Sequence, residues 1–150
     1  MRACSTGVAG IAAIGLLLAA CGGQRDVLIE DAWVRSAPAG AAVLAAYCTI
    51  RNRRDAPAVV VGARSPAFEG VELHETTIAD GVSRMRRIDR LTVPAGGHVE
   101  FRPGGRHLML KGPRRLLAPG DRIEIALELE DGARAVAEFE VATAGAEANP

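Results

Sequence analysis

Four side chains in the middle of the chain could together bind a soft metal ion. Ten residues separate His74 from Met85, twenty-one separate Met85 from His107, and one separates His107 from Met109. The chain has three methionines, one of them the initiator, and three histidines. Two thioethers and two imidazoles form an uncharged ligand set, in which the soft sulfur selects Cu(I). Zinc prefers thiolate, imidazole or carboxylate, and calcium and magnesium require oxygen, so these residue types point to copper.

Methionine is also a ligand suited to an oxidising compartment. Its thioether has no proton to lose and cannot close into a disulfide, whereas a pair of cysteines can. The set is therefore suited to holding Cu(I) outside the cytoplasm and releasing it again. The alternative interpretation of a methionine is a flexible filler of the hydrophobic core.

The strands that must position these side chains are indicated by short β-rich runs. No sustained 3.6-residue apolar period occurs, and runs bounded by Gly, Pro, Asp and Asn recur about every ten residues. This spacing predicts an all-β fold, an antiparallel β-sandwich or Greek-key barrel. The predicted strands are 27–35, 43–52, 57–64, 70–78, 82–91, 98–102, 106–111, 121–130 and 134–142.

The turn at Asp80-Gly81 decides whether His74 and Met85 can meet. A two-residue turn pairs His74 with Arg87 and Thr76 with Met85, which makes His74 and Met85 diagonal neighbours on the outward face. A three-residue loop would place them on opposite faces. A copper site therefore requires the two-residue turn or a wider loop with an even number of residues.

Alternation also predicts that the other two candidate ligands share one face. In the run 106–110, Leu108 and Leu110 point inward, so His107 and Met109 point outward together.

The loop of the last hairpin is predicted in the same way. A three-residue loop from Asp131 to Ala133 unites the apolar faces of both strands, whereas a two-residue turn would oppose apolar and charged residues.

The N-terminus has the features of a targeting segment. Arg2 precedes the apolar run Val8–Ala20, which suits a signal peptide and is short for a membrane span. The run ends in Leu-Ala-Ala-Cys-Gly, which resembles a bacterial lipobox and predicts cleavage after residue 20 and lipidation of Cys21. The alternative is an ordinary cleaved signal. The predicted organisation is a signal peptide (1–20), a short tether (21–26), a copper-binding β-domain (27–142) and a disordered tail (143–150), lipid-anchored on the periplasmic side of a bacterial membrane.

Cysteine usage argues against an electron-transfer copper protein. Cys4 leaves with the leader and Cys21 is lipidated, so Cys48 remains alone and no intrachain disulfide is expected in the mature chain. Cys48 alternates with apolar residues and is predicted to be a small buried hydrophobe. A blue-copper site needs a cysteine thiolate with two histidines, and Cys48 lies far upstream of all three histidines.

Charge and motifs weigh against the other functional classes. Lys+Arg and Asp+Glu number 18 each, so nucleic-acid binding is not expected. No nucleophile elbow, phosphate loop or carboxylate pair points to an enzyme.

The remaining polar and aromatic residues have structural interpretations. His98 is predicted to face solvent, and Trp33 and Tyr47 are predicted to be packing residues. The arginine-rich segments are interpreted as a solvated face, with a basic docking rim for an acidic partner as the alternative.

The spacing and the surrounding blocks resemble one family. The His-x10-Met-x21-His-x-Met pattern is the signature of the periplasmic copper chaperone A(C) family, PCuAC. The segments EDAWVRSAP, AAYCTIRN, VELHETTIADG, TVPAGGHVEFRPGGRHLML and LLAPGDRIEIALELEDG also look like family blocks in family order, and they cover most of residues 27–141.

This resemblance implies a cupredoxin-like or immunoglobulin-like sandwich that binds Cu(I) in the periplasm. His74, Met85, His107 and Met109 would be the ligands. It implies delivery to the copper A site of cytochrome c oxidase, often beside a Sco-type partner; the alternative is copper buffering or detoxification. Some members carry a Met/His-rich tail with a second site. The C-terminal segment here has neither residue, so one Cu(I) per chain is expected.

Overall fold

The computed structural model of the protein describes residues 26–143, which form ten β-strands and, within that range, no helix. No segment in this range could therefore cross a membrane as an apolar helix. The strands are β1 (Val27–Val34), β2 (Val43–Asn52), β3 (Ala58–Arg64), β4 (Phe68–Ala79), β5 (Val82–Arg87), β6 (Leu91–Val93), β7 (His98–Phe101), β8 (Arg106–Pro113), β9 (Arg122–Leu129) and β10 (Arg134–Val141).

Seven of these strands close into a barrel. Hydrogen-bonded neighbours follow the order β4, β8, β2, β1, β10, β9, β3, and β3 pairs back to β4 through Ala63 and Val71. The strands β5, β6 and β7 extend from β4, β3 and β2. The predicted all-β, largely antiparallel barrel is confirmed. One feature was not predicted, the parallel pairing of β1 with β10.

The core fills the barrel because one face of each strand is apolar. Period-two alternation sends every second side chain inward, and most of the buried residues are aliphatic or aromatic. The largest fully buried apolar side chains are Phe139, Ile50, Leu108, Leu110, Ile125 and Leu127. Side chains at the alternate positions of the same strands point to the outer face.

The predicted strand 82–91 is too long: β5 ends at Arg87, residues 88–90 are outside any strand, and a separate strand, β6, begins at Leu91. On β5 the odd-numbered positions face outward with His74. Continuing that alternation would expose Leu91 and Val93, which are 7% and 0% exposed. The chain instead leaves the hairpin after Ile88, whose N–H donates to the Leu73 carbonyl at 2.8 Å, and β6 pairs with β3.

The last hairpin confirms the predicted face and corrects the loop. Leu127 pairs with Ala135 and Ile125 with Ala137, so odd-numbered residues face odd-numbered residues as expected. The three-residue loop is Glu130–Gly132, one residue earlier than predicted, because the Leu129 N–H donates to the Ala133 carbonyl at 2.9 Å. Gly132, at φ 84°, adopts the left-handed conformation that this loop needs.

Several sequence predictions fall outside the described residues. These are the signal peptide (1–20), lipidation at Cys21, the tether as far as residue 25, and residues 144–150 of the tail. They stay predictions.

Candidate metal centre

Strand β4 is the central element of the candidate site, with β5 on one side and β8 on the other. His74 on β4 lies opposite Arg87 on β5 and opposite His107 on β8. Residues opposite each other in antiparallel strands point to the same face. Both histidines therefore lie on the outer face of the barrel.

The two methionines join the same face through neighbouring residue pairs. Thr76 lies opposite Met85, and Glu72 lies opposite Met109. Thr76 and Glu72 are each two residues from His74, so their side chains share its direction. The register thus gathers all four sequence-predicted residues on one surface of three adjacent strands.

The turn between β4 and β5 fixes this arrangement. Ala79 pairs directly with Val82, which leaves Asp80 and Gly81 as a two-residue turn. Their φ angles are 53° and 74°, and two consecutive positive values are the mark of a type I′ turn, whose twist matches that of the flanking strands. The predicted two-residue turn, and with it the predicted partner of Met85, is confirmed.

Exposure differs among the four side chains. Met85 is 54% exposed and Met109 is half-buried, so neither sulfur is in the core, as predicted. His107 is only 7% exposed, and the His74 side chain is 13% exposed. Pointing outward therefore does not leave the two imidazoles open to solvent. Alternation predicts the face of a strand and not what covers that face.

The two imidazoles have a geometry compatible with a shared ion. Their centroids are 5.8 Å apart and their planes are inclined by 36°. An imidazole nitrogen ligates zinc at about 2.0–2.1 Å, and with similar bonds two rings sharing one ion have centroids roughly 5–6.5 Å apart. His74 Nδ1 is buried without a hydrogen-bond partner among the described residues. A metal ion would satisfy this nitrogen.

Glu72 connects the site to three other side chains. Its Oε2 lies 3.0 Å from His74 Nε2, and its Oε1 accepts from Lys111 Nζ and from Arg87 Nη1. The Lys111 hydrogen bond, the His74 hydrogen bond and the nearby cations lower the pKa of Glu72 from 4.5 to about 2. Glu72 is therefore a carboxylate at neutral pH.

Sequence reasoning missed Glu72. The available signal was its position two residues before His74, which places both side chains on one face of a strand. Its partner Lys111 is distant in sequence and is brought close by the pairing of β4 with β8.

A second carboxylate supports the opposite face of the same strands. Glu75 lies between Arg86 and Arg106 in adjacent pairs, with N–O distances of 2.6 and 3.2 Å. This cross-strand cluster joins the hairpin that carries Met85 to β8. Two arginines of the arginine-rich segments, Arg86 and Arg106, are therefore ion-paired to the same carboxylate.

Donor type separates this site from other metal sites. Within residues 26–143, no three His, Cys, Asp or Glu side chains are grouped to hold a metal ion. A metal here would rely on the two thioethers together with the imidazoles, and such a mixed soft set suits Cu(I).

The remaining sequence candidates occupy the places expected of them. Cys48 is buried in the core at 3% exposure, and burial raises its pKa to about 12, with Asp31 contributing. His98 is on the surface. Trp33 and Tyr47 pack with ring centroids 4.6 Å apart.

The sequence of the chain matches a known protein family and a related bacterial protein. Residues 27–141 match the family described as "Putative lipoprotein LpqE-like". A protein of Leifsonia xyli subsp. xyli, named "Putative lipoprotein", is 36% identical over 113 residues, which are 74% of this chain and 67% of that protein.

Solved structures with the same fold include copper-loaded proteins. The solution structure of Cu(I)-DR1885 from Deinococcus radiodurans is 33% identical and superposes with a TM-score of 0.59 over 74% of each chain. The copper-bound PCuAC domain of PmoF2 is 24% identical, with a TM-score of 0.64 over 79% of this chain and 93% of that domain. The second match is evidence of fold alone.

Proposed function

Because the chain belongs to the LpqE-like family of PCuAC-type proteins, we propose that it is a metallochaperone that binds one Cu(I) and passes it on. The observation that carries the proposal is the register of β4, β5 and β8. It places His74, Met85, His107 and Met109 on one outer face. Four soft or borderline donors without charge suit a monovalent soft cation that must be held and then released.

The copper-loaded relative supports this choice of metal. The structure of the Deinococcus protein was solved with Cu(I). Its sequence is 33% identical to this chain, so the similarity extends to the sequence as well as the fold. The proposed ligands of this chain follow from its own sequence and strand register, not from that relative.

The exposures suggest how the cargo would move. The imidazoles of His74 and His107 are shielded and would hold the ion in place. Met85, on the edge strand β5, is accessible and would be the donor that an acceptor protein meets first. Exchange of one thioether for an acceptor ligand keeps the ion coordinated during transfer. No catalysis is assigned to the chain.

The proposed location is the periplasmic side of a bacterial membrane, with the lipid anchor on Cys21. The lipoprotein name of the Leifsonia relative supports an anchored, extracytoplasmic protein. The proposed acceptors are the copper A centre of cytochrome c oxidase and a Sco-type copper protein. Nucleic acid is not among the proposed partners.

Anaerobic Cu(I) titration against a competing chelator tests the binding step. The expected result is one tightly bound Cu(I) per chain and an X-ray absorption spectrum with both nitrogen and sulfur scattering. A chain that does not compete with the chelator would end the proposal.

A strain in which the gene for this protein is deleted distinguishes copper delivery from copper buffering or detoxification. If the chain is a chaperone, oxidase activity falls in copper-poor medium and is restored by added copper. If it buffers copper, oxidase activity is unchanged and the defect is sensitivity to excess copper. The second outcome would replace delivery by detoxification while leaving copper binding intact.

A further inference from the structure

Resting on the proposed copper site, we propose that Glu72 is a positioning residue that sets the tautomer of His74. In the resulting arrangement, His74 presents Nδ1 to Cu(I) and His107 presents Nε2. The two imidazoles would thus bind through different ring nitrogens, each fixed by a hydrogen bond on its other side.

The first step concerns His74. Its Nε2 lies 3.0 Å from Glu72 Oε2. Glu72 also accepts from Lys111 and Arg87, so the carboxyl group is an ionised acceptor with no proton to give. The proton in the His74–Glu72 hydrogen bond therefore sits on Nε2, and the lone pair of the neutral ring is on Nδ1.

The second step concerns the nitrogen that is left. His74 Nδ1 is buried and has no hydrogen-bond partner among the described residues. A buried acceptor without a partner is unfavourable, and each such atom requires an explanation. A metal ion that uses this lone pair supplies one.

The third step concerns His107, which has the opposite arrangement. Its Nδ1 lies 3.1 Å from the Gly105 carbonyl oxygen, which can only accept. Nδ1 therefore carries the proton and Nε2 carries the lone pair. The same carbonyl accepts from the Thr76 N–H at 3.1 Å, which ties this loop to β4 beside His74.

Metal-bound histidines commonly donate their second ring N–H to a carboxylate or a carbonyl, and this partner orients the ring and raises its basicity. Glu72 and the Gly105 carbonyl are partners of these two kinds. Because the Gly105 carbonyl belongs to the backbone, Glu72 is the one of the two that a substitution can remove.

The tautomers are measured in the apo protein by long-range proton–nitrogen NMR, which distinguishes protonated from bare ring nitrogens. Spectra are recorded at about pH 8.5, roughly two units above the ordinary imidazole pKa. The expected result is Nε2–H for His74 and Nδ1–H for His107. Nδ1–H on His74 would overturn the proposal, and this readout does not depend on copper.

A pair of variants tests the role of the carboxylate. Glu72→Gln removes the obligate acceptor with little change in shape, and the expected loss of Cu(I) affinity is about 10- to 100-fold. The same variant should show a mixture of His74 tautomers. The matched control is Glu138→Gln, which removes an exposed, ion-paired carboxylate whose Oε2 lies 3.7 Å from Arg122 Nη1. Its strand, β10, does not pair with β4, β5 or β8, so this variant should leave both affinity and tautomer unchanged.

Three outcomes have distinct meanings. Equal affinities of the two variants, or an unchanged His74 tautomer in Glu72→Gln, would overturn the positioning role. A wild-type chain that takes up no Cu(I) would refute the proposed function instead. The expected pattern, a loss of affinity and a tautomer shift in Glu72→Gln alone, would establish both.

Discussion

Met85 lies opposite Thr76 across the β4–β5 hairpin, which makes it a diagonal neighbour of His74 on the outer face. Among the strands of residues 26–143, β5 pairs with β4 and has no second neighbour, and all six of its residues are exposed. Met85 is therefore placed by one turn and one strand pairing, with little packing to hold it. Its role can be tested without disturbing the core.

Replacing either methionine by leucine should weaken Cu(I) binding at least about tenfold, or ~1.4 kcal/mol. Leucine has a similar volume but offers no lone pair. Chelator competition under anaerobic conditions measures the affinity, and thermal unfolding should show little change for Met85→Leu. Ile78→Leu is the control, since Ile78 is exposed on the same hairpin. Unchanged affinity in both methionine variants would remove the thioethers from the site.

The turn residue Gly81 should matter for copper binding although it has no donor atom of its own. At φ 74°, a β-branched residue is strained by about 1–2 kcal/mol, so Gly81→Val should loosen the hairpin and misplace Met85. The expected result is an affinity close to that of Met85→Leu with a nearly unchanged barrel. Asp80→Gly, which removes the side chain from the other positive-φ position, is the matched control.

Amide hydrogen exchange gives the independent readout for this variant. Exchange should accelerate in β5 and stay slow in β8 and β2, because only the hairpin depends on the turn. Full affinity together with fast exchange in β5 would show that Met85 does not need a fixed hairpin.

The parts of the fold that sequence predicted are those governed by local rules. An Asp-Gly pair between alternating strands specifies a two-residue turn, and from that turn follow the partners of His74 and Met85. The break after Ile88 was missed although its signal was present, since Leu91 and Val93 would be exposed by continued alternation. The parallel pairing of β1 and β10 has no local signal.

The parts of the site that sequence could not predict depend on distant strands. Glu72 meets Lys111 only because β4 pairs with β8, and the burial of His107 depends on what surrounds the outer face. The outward direction of Met109 was predictable from alternation alone, and that of Met85 from alternation together with the two-residue turn. Their assignment as ligands, with the two histidines, stays a prediction.

Asn52 should be a sensitive position for stability. It is fully buried, and its Nδ2 lies 2.8, 3.2 and 3.0 Å from the carbonyl oxygens of Ala56, Val93 and Pro94. Asn52→Leu leaves buried carbonyls without a donor, and the expected loss of unfolding free energy is about 3 kcal/mol. Urea denaturation measures it, with the surface change Glu138→Gln as the control. A loss below about 0.5 kcal/mol, the range of a surface change, would contradict this account.

Acid should weaken the β9–β10 loop through Asp131. The Ala133 N–H and the Arg54 guanidinium lower the pKa of Asp131 below its ordinary value of 3.8. A lowered folded-state pKa means that the stabilisation is present above pH 3.8 and is lost as the pH falls through the folded value. The difference in unfolding free energy between wild type and Asp131→Asn should therefore shrink between about pH 6 and pH 2.5. A difference that stays constant or grows in acid would refute it.

Cys48 provides the test between a chaperone and an electron-transfer protein. Cys48 is 3% exposed, and burial raises the pKa of its thiol to about 12, so the thiol is protonated at neutral pH and is a poor nucleophile. The native protein should resist a thiol reagent and react once denatured.

Cys48→Ala should keep its Cu(I) affinity within about twofold, at a stability cost near 1 kcal/mol for the small cavity. Added Cu(II) should give no intense blue band, because such a band requires a cysteine thiolate bound to copper. A blue band in wild type that disappears in Cys48→Ala would place the thiol on the metal and favour electron transfer.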